Sequence, residues 1–251
     1  MRGFKTIKKQ PTQPQSQPQY EVADVLNKLG SKLEDLGLNS WQLRTLFALK
    51  KCRTSALGGH IDACDECGNI SISYNSCRNR HCPKCQGRNR EDWIQTRETE
   101  LLPVPYFHVV FTLPEVLNKT ALHEPKMLYD ILFESAWETL QTFGKNKNLQ
   151  MGMIAVLHTW GQNLSLHPHL HCIVPGGGVD ENGAWKNIKN DGKFLFSVKA
   201  LSKVFRAKFC EKLKANLKDK FNENQENEYE KIRQSLWEKP WVVYAKKPFG
   251  S

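Results

Sequence analysis

The chain of 251 residues contains no apolar run approaching the roughly 18 residues that span a bilayer, and its first residues carry no signal-type hydrophobic core. These two absences lead us to expect a cytoplasmic protein without a membrane helix. Acidic residues are few beside basic ones, 26 Asp and Glu against 36 Lys and Arg, giving a formal charge of +10 and a pI near 9.2. That imbalance points to a polyanionic partner, nucleic acid first among them. A secreted disulfide framework is also missing. Of eight cysteines, four fall into two C-x-x-C pairs, the pattern of metal binding in a reducing compartment. The 39% hydrophobic content suffices for a packed core, and the length suits one large domain or two modest ones.

Residues 1–20 are rich in Lys, Gln and Pro without apolar periodicity and read as a disordered basic arm. From Val22 the pattern turns helical, with Val22, Val25, Leu26, Leu29 and Leu33 on one stripe. Asn39 or Ser40 can cap a second helix carrying Leu43, Leu46, Phe47 and Leu49, ended by Gly58 and Gly59. A helix rich in Arg and Glu is expected from Arg88 to Leu101, stopped by Pro103 and Pro105. The second half reads as a strand from Tyr106 to Leu113, a helix through Leu128, Ile131, Leu132, Ala136 and Leu140, and a strand from Met151 to Trp160. The Gly161–Asn163 turn then leads into a strand from Leu166 to Val174, making an antiparallel hairpin. Gly176–Gly178 reads as a chain break, Phe194–Phe196 as a short strand, Val198–Lys220 as a basic helix, residues 222–230 as a solvated linker or fraying helix end, and Pro240–Ala245 as a last strand.

Cys64-x-x-Cys67-Gly68 and Cys82-x-x-Cys85 flank the strand-like run Ile70–Tyr74. Each pair makes a tight knuckle, and four thiolates at this spacing suit a tetrahedral structural zinc. Cys77, His81 and His60 complicate the ligand count: one of them could replace a cysteine, or the cluster could bind a second ion, and the simplest account leaves them in the surrounding shell or core. Around the second knuckle lie Arg78, Arg80, Lys84, Arg88 and Arg90, interleaved with amides, a candidate phosphate-contact surface for DNA. Downstream, His167-Pro168-His169-Leu170-His171 sets two imidazoles two residues apart on a strand. His169 and His171 therefore share a face while Leu170 turns into a core. Two histidines on one strand face can hold a divalent cation, with a third ligand from a neighbouring strand.

Phe111-Thr112-Leu113-Pro114 together with His169-Leu170-His171 resembles the HUH endonuclease pattern. The longer stretches Leu101–Pro114 and His167–Gly178 look like rolling-circle transposases of bacterial insertion sequences, and Cys77–Gln86 resembles their N-terminal zinc-binding domain. The resemblance covers residues 25–250. It implies a transposase for DNA transposition and recombination, acting as a metal-dependent single-strand nickase on single-stranded or hairpin transposon ends. In such enzymes histidines hold Mg²⁺ or Mn²⁺ at the scissile phosphate, and a tyrosine hydroxyl forms a 5′-phosphotyrosine link and leaves a 3′-OH. For the third ligand the adjacent strand favours His158, with Gln162 and His167 behind it. The family's nucleophilic tyrosines lie on a helix downstream of the final strand. Tyr244 reads as structural and Tyr229 sits in a polar acidic stretch, while Tyr20, Tyr74, Tyr106 and Tyr129 match no nucleophile position. We therefore expect the metal site without the attacking tyrosine, so that DNA binding survives and cleavage is weak or absent.

The expected architecture is α+β: a helical and zinc-ribbon module over 21–100, then an antiparallel HUH-type sheet of four or five strands with packed helices over 101–251. Leu113, Val109, Val156, Leu170 and Val174 are expected in its core. Two rivals stand beside this reading. One is a non-catalytic zinc-ribbon DNA-binding protein in which the histidines merely pack. The other is a metal-dependent hydrolase with activated water, disfavoured because no carboxylate follows the histidines until Asp180.

Overall fold

A computed structural model describes residues 19–188, 195–217 and 223–246. All but the end of the expected basic arm, and Phe194 of the expected short strand, lie outside the described residues. The chain divides into two compact units at Leu101 and Leu102.

The first unit begins with α1 (Val22–Leu29), a 3₁₀ turn over Gly30–Leu36, and α2 (Ser40–Lys51). Asn39 caps α2 reciprocally. Its Oδ1 accepts from the Gln42 amide at 2.9 Å, and the Gln42 side chain accepts from the Asn39 amide at 2.9 Å, a box worth about 1 kcal/mol. Gly30 interrupts the expected Val22–Leu33 stripe at φ 55°. Leu26 and Leu33 are therefore buried, whereas Val22, Val25 and Leu29 stay exposed. A hairpin follows, β1 (Gly59–Ala63) against β2 (Ile70–Tyr74), and then α3 (Pro83–Glu100). This last helix starts before Arg88, because Pro83 at its first position presets the helical φ and gives up an amide that would have no partner there. Leu26, Leu33, Leu49, Cys52 and Cys82 make the small core.

The second unit is a four-stranded antiparallel sheet with helices on one face, so the fold is α+β. Its elements are β3 (Tyr106–Thr112), α4 (Asn118–His123), α5 (Pro125–Lys145), β4 (Ile154–Trp160), β5 (Leu166–Pro175), β6 (Gly177–Val179), β7 (Trp185–Asn187), α6 (Val198–Leu217), α7 (Glu223–Glu238) and β8 (Val243–Ala245). The strand order is β4-β5-β3-β8. On the inner face Phe107, Val109 and Phe111 of β3 and Leu170, Cys172 and Val174 of β5 join Leu128, Leu132 and Leu140 of α5 and Leu201, Phe205 and Phe209 of α6 in one core. Trp241 pins the approach to β8: its indole N–H donates to the Leu236 carbonyl at 2.9 Å, and the Ser202 hydroxyl donates to the Trp241 carbonyl at 2.6 Å. No helix among the described residues is long and apolar enough to cross a membrane.

Three expectations need correction. Val156 is 41% exposed rather than core, because it lies two residues from His158 and so shares the outer face of β4. Gly177 and Gly178 do not break the chain but form β6, buried where other backbone crosses closely: a Cβ on Gly178 would lie 2.5 Å from the Gln150 carbonyl oxygen. Of the two readings of 222–230, linker or helix end, the described part over 223–230 is helix. Helix α7 begins at Glu223, and further along it Ile232 and Leu236 pack on the core one turn apart. Leu195 and Phe196 are buried without forming a strand.

Gly178→Ala is expected to lower stability by about 1–3 kcal/mol through this backbone clash. A urea melt checks it, and an unchanged midpoint would refute the close approach.

Candidate metal centres

The register of β5 assembles the first centre. His169 pairs directly with His158 on β4, and His171 faces Val156 on β4 and Val110 on β3. Directly opposed residues in an antiparallel ladder share a face, so His158, His169 and His171 all stand on the side away from the helices. Their ligating nitrogens lie within 4.8 Å of one another, with His169 Nε2 and His171 Nε2 3.1 Å apart. Leu170, between the two, is fully buried and fixes β5 on the core.

Neighbours set the tautomers. His169 Nδ1 is 2.6 Å from the His167 carbonyl oxygen; a carbonyl can only accept, so this nitrogen carries the proton and Nε2 keeps its lone pair. His171 Nδ1 lies 2.6 Å from His108 Nε2, and the two rings stack at 4.9 Å. Burial holds the His171 imidazole down at about 4, with His158, His169 and His108 adding to the shift, and burial also lowers His158 and His108. The His169 Nε2 lone pair, directed toward the other two rings, suits a cation. Two lone pairs 3.1 Å apart repel unless a proton or a metal lies between them, and adjacent ligands on ~2.1 Å octahedral arms are about 3.0 Å apart. Gln162 and His167 line the same hollow, and the His167 ring stands outside the three-histidine group.

The second centre lies in the first unit's core. Cys52 ends α2, Cys77 follows β2, and Cys82 and Cys85 sit at the cap and first turn of α3. Their sulfurs are in mutual contact: Cys52 to Cys85 3.5 Å, Cys52 to Cys82 3.5 Å, Cys77 to Cys85 3.6 Å. A tetrahedral zinc with ~2.3 Å sulfur arms needs edges of about 3.8 Å, so the four fit with a few tenths of an ångström of expansion. Burial pushes the Cys77 thiol up to about 12. Burial also raises Cys85, but hydrogen bonds from Cys52, Cys77 and Cys82 outweigh it and bring that thiol to about 7.

Cys64 and Cys67 are not brought to Cys82 and Cys85. They occupy the exposed tip of the β1–β2 hairpin, where Gly68 turns at φ 67° and donates to the Cys64 carbonyl at 2.9 Å. Five residues of strand at ~3.3 Å each hold that tip about 16 Å from the hairpin base, which Cys52 and Cys77 flank. Cys77, assigned to the surroundings in the sequence reading, is in the cluster. His60 and His81 are outside it, His60 3.6 Å from Asp62 and His81 edge-on to Trp41 at 6.0 Å. Of the basic residues, Arg78, Arg80, Arg88 and Arg90 are exposed, whereas Lys84 is half-buried and ion-paired with Glu21.

Residues 24–113 match the family described as "Transposase zinc-binding domain", and residues 152–251 match the family described as "Putative transposase". The chain is 42% identical over 243 residues to "Putative transposase y4qJ" of Sinorhizobium fredii (strain NBRC 101917 / NGR234), an alignment covering 92% of this chain and 61% of that protein. The chain thus carries a transposase zinc-binding domain in its first half and a stretch of the putative-transposase family in its second. It is also 35% identical over 158 residues to "Transposase for insertion sequence element IS801" of Pseudomonas savastanoi pv. phaseolicola, covering 62% of this chain and 38% of that one. It thus spans 61% and 38% of the lengths of these two relatives. A solved structure titled "Conjugative Relaxase TrwC in complex with mutant OriT Dna" is similar at TM-score 0.35 and 12% identity, over 77% of this chain and 65% of that one.

Sequence reading of this chain missed Cys52 and His108. Cys52 stands 25 residues before Cys77 and belongs to no C-x-x-C pair, so spacing carries no signal for it. His108 was detectable in principle. It lies two residues from Val110 on the same strand face, and that register was unknown before β3 and β5 were paired.

Alkylation of the metal-free chain is expected to modify Cys64 and Cys67 first and buried Cys52, Cys82 and Cys172 last. Backbone hydrogen bonds from Cys67 and Glu66 pull the Cys64 thiol down, which favours its thiolate. Peptide mass spectrometry over time reads the order, and early labelling of Cys52 would contradict it.

Proposed function

We propose that the outer sheet face holds Mg²⁺ or Mn²⁺ on His158, His169 and His171 and binds single-stranded DNA there. In this reading the chain is the phosphate-activating part of a transposase that nicks and rejoins one strand in rolling-circle transposition. The convergence of three imidazole nitrogens within 4.8 Å on an open sheet face carries the reading. When bound, the cation would polarise a scissile phosphoryl oxygen. The protein's own contribution is orientation: the His167 carbonyl fixes the His169 tautomer, His108 fixes the His171 ring, and Leu170 fixes the strand. The spacing of His169 and His171 would suit two ligands of one cation, whose chemistry would be to draw charge from a phosphoryl oxygen.

The zinc is assigned to Cys52, Cys77, Cys82 and Cys85 in place of the set expected with Cys64 and Cys67. Its role is structural, since four sulfurs leave no open position. Arg78, Arg80, Arg88 and Arg90 supply phosphate contacts, and Lys84 braces the fold through Glu21. Tyr244 faces the histidine side through its pairing with Val110 and is 52% exposed, but β8 is two strands from β5, about 10 Å at ~4.8 Å per strand. We infer that the attacking hydroxyl is not that of Tyr244.

Two measurements test this reading. Labelled single-stranded oligonucleotide is expected to bind more tightly with Mn²⁺, and His169→Ala should lose that gain. The label should stay off the protein on a denaturing gel. Unchanged binding in His169→Ala would sink the metal assignment and favour the non-catalytic alternative, while label transfer abolished by Tyr244→Phe would overturn the inference about Tyr244. In the first unit, Cys77→Ser is expected to release zinc at chelator concentrations that leave Cys64→Ser fully loaded. Metal content by mass spectrometry decides, and zinc loss from Cys64→Ser instead would restore the original ligand set.

A further inference from the structure

Trp160 closes β4, an edge strand, immediately beyond a register shift that separates it from His158. Its indole lies nearly parallel to the His158 ring, 5.3 Å between centroids and 12° between planes, yet the residue is 52% exposed. The imidazole thus covers part of a large flat side chain while much of its surface stays open. Beside it lies a hollow of about 740 Å³, floored by His158, His169 and His171 and bordered by Trp160 and Gln162. That volume is within the usual range of ligand sites.

The border is braced. Asn163 Oδ1 accepts from both the amide and the hydroxyl of Ser165, and Gly161 donates to the Ser165 carbonyl at 2.9 Å. Within this turn Leu164 is 81% exposed at φ 62°, a left-handed backbone that leucine rarely takes. Two apolar side chains are therefore presented to solvent by a tied-down turn next to three metal-type ligands. Water gains nothing from such a surface. A nucleotide joins both halves of it, because its phosphate suits the cation and its base has an apolar face for an indole. Bases in a duplex are already stacked on their neighbours, so the available partner is an unpaired one.

We propose that Trp160 is the stacking platform for one unpaired nucleobase of the strand whose phosphate sits at the histidine trio. The proposal rests on the metal and single-strand reading above and adds to it the residue that grips the base. His158 links the two functions, since one ring both faces the cation and backs the indole.

The test uses the whole chain with Mn²⁺ and two probes of equal length and charge: a thymidine oligonucleotide and its fully abasic counterpart, each followed by fluorescence anisotropy. Trp160→Ala should weaken the thymidine probe about tenfold, the size of one lost base stack, and leave the abasic probe unchanged. Trp160→Phe should keep most of the affinity, and Mn²⁺ binding followed by electron paramagnetic resonance should match wild type in both variants. Equal affinities of wild type and Trp160→Ala for the thymidine probe would overturn the proposal alone, as would equal losses on both probes. Failure of the wild-type chain to bind either probe would overturn the single-strand reading together with it.

Discussion

Strand β5 is hydrogen-bonded on both sides, to β3 and to β4, and side chains alternate along it with a period of two. That pairing decides what each face of the second unit can be. Leu170, Cys172 and Val174 are fully buried against the helices, which obliges His169 and His171 to stand on the opposite face. The same ladder sets His158 across from His169 and brings His108 within reach of His171. A slip of one residue would put the imidazoles into the core and the leucine into solvent, so the hydrophobic core and the histidine cluster are specified by one register.

The outer face needs no helix above it because its residues have other partners. The His169 ring is oriented by a carbonyl and the His171 ring by the His108 imidazole, and burial disfavours the charged form of His158 and His171. Around them Val156, Ile173, Tyr244 and Trp160 remain exposed to between 36% and 52%, an apolar collar unusual for a sheet face left to water.

In the first unit the sulfurs replace much of what a hydrophobic core would do. Cys52 and Cys82 are among its five buried apolar residues, and α3 buries none of its own along eighteen residues. Helix α2, the loop after β2 and the start of α3 are therefore drawn together at the four-sulfur cluster more than by packing. A small module with few buried side chains is the setting in which a bound metal contributes folding energy outright.

Local pattern determined a good deal by itself. The Asn39 cap, the apolar run of Tyr106–Leu113, the turn at Gly161–Asn163 and the parity of His169 and His171 are short-range properties, and each is present in the fold. The family motifs are contiguous and equally legible, and adjacency in the hairpin pointed to His158. Ligand sets drawn from distant segments were not. Cys52 and Cys77 meet Cys82 and Cys85 because three elements converge, whereas the better-spaced Cys64 and Cys67 are carried away by their own hairpin. Val156 looked like core by hydrophobicity and lies outside by parity with His158. Gly177 and Gly178 looked like a break, yet they are required by backbone passing within about 2.5 Å of where their side chains would be. The sequence settles what depends on neighbours in the chain; the tertiary structure alone decides which cysteines come together and which strand face each imidazole shares, because those depend on how distant segments pack.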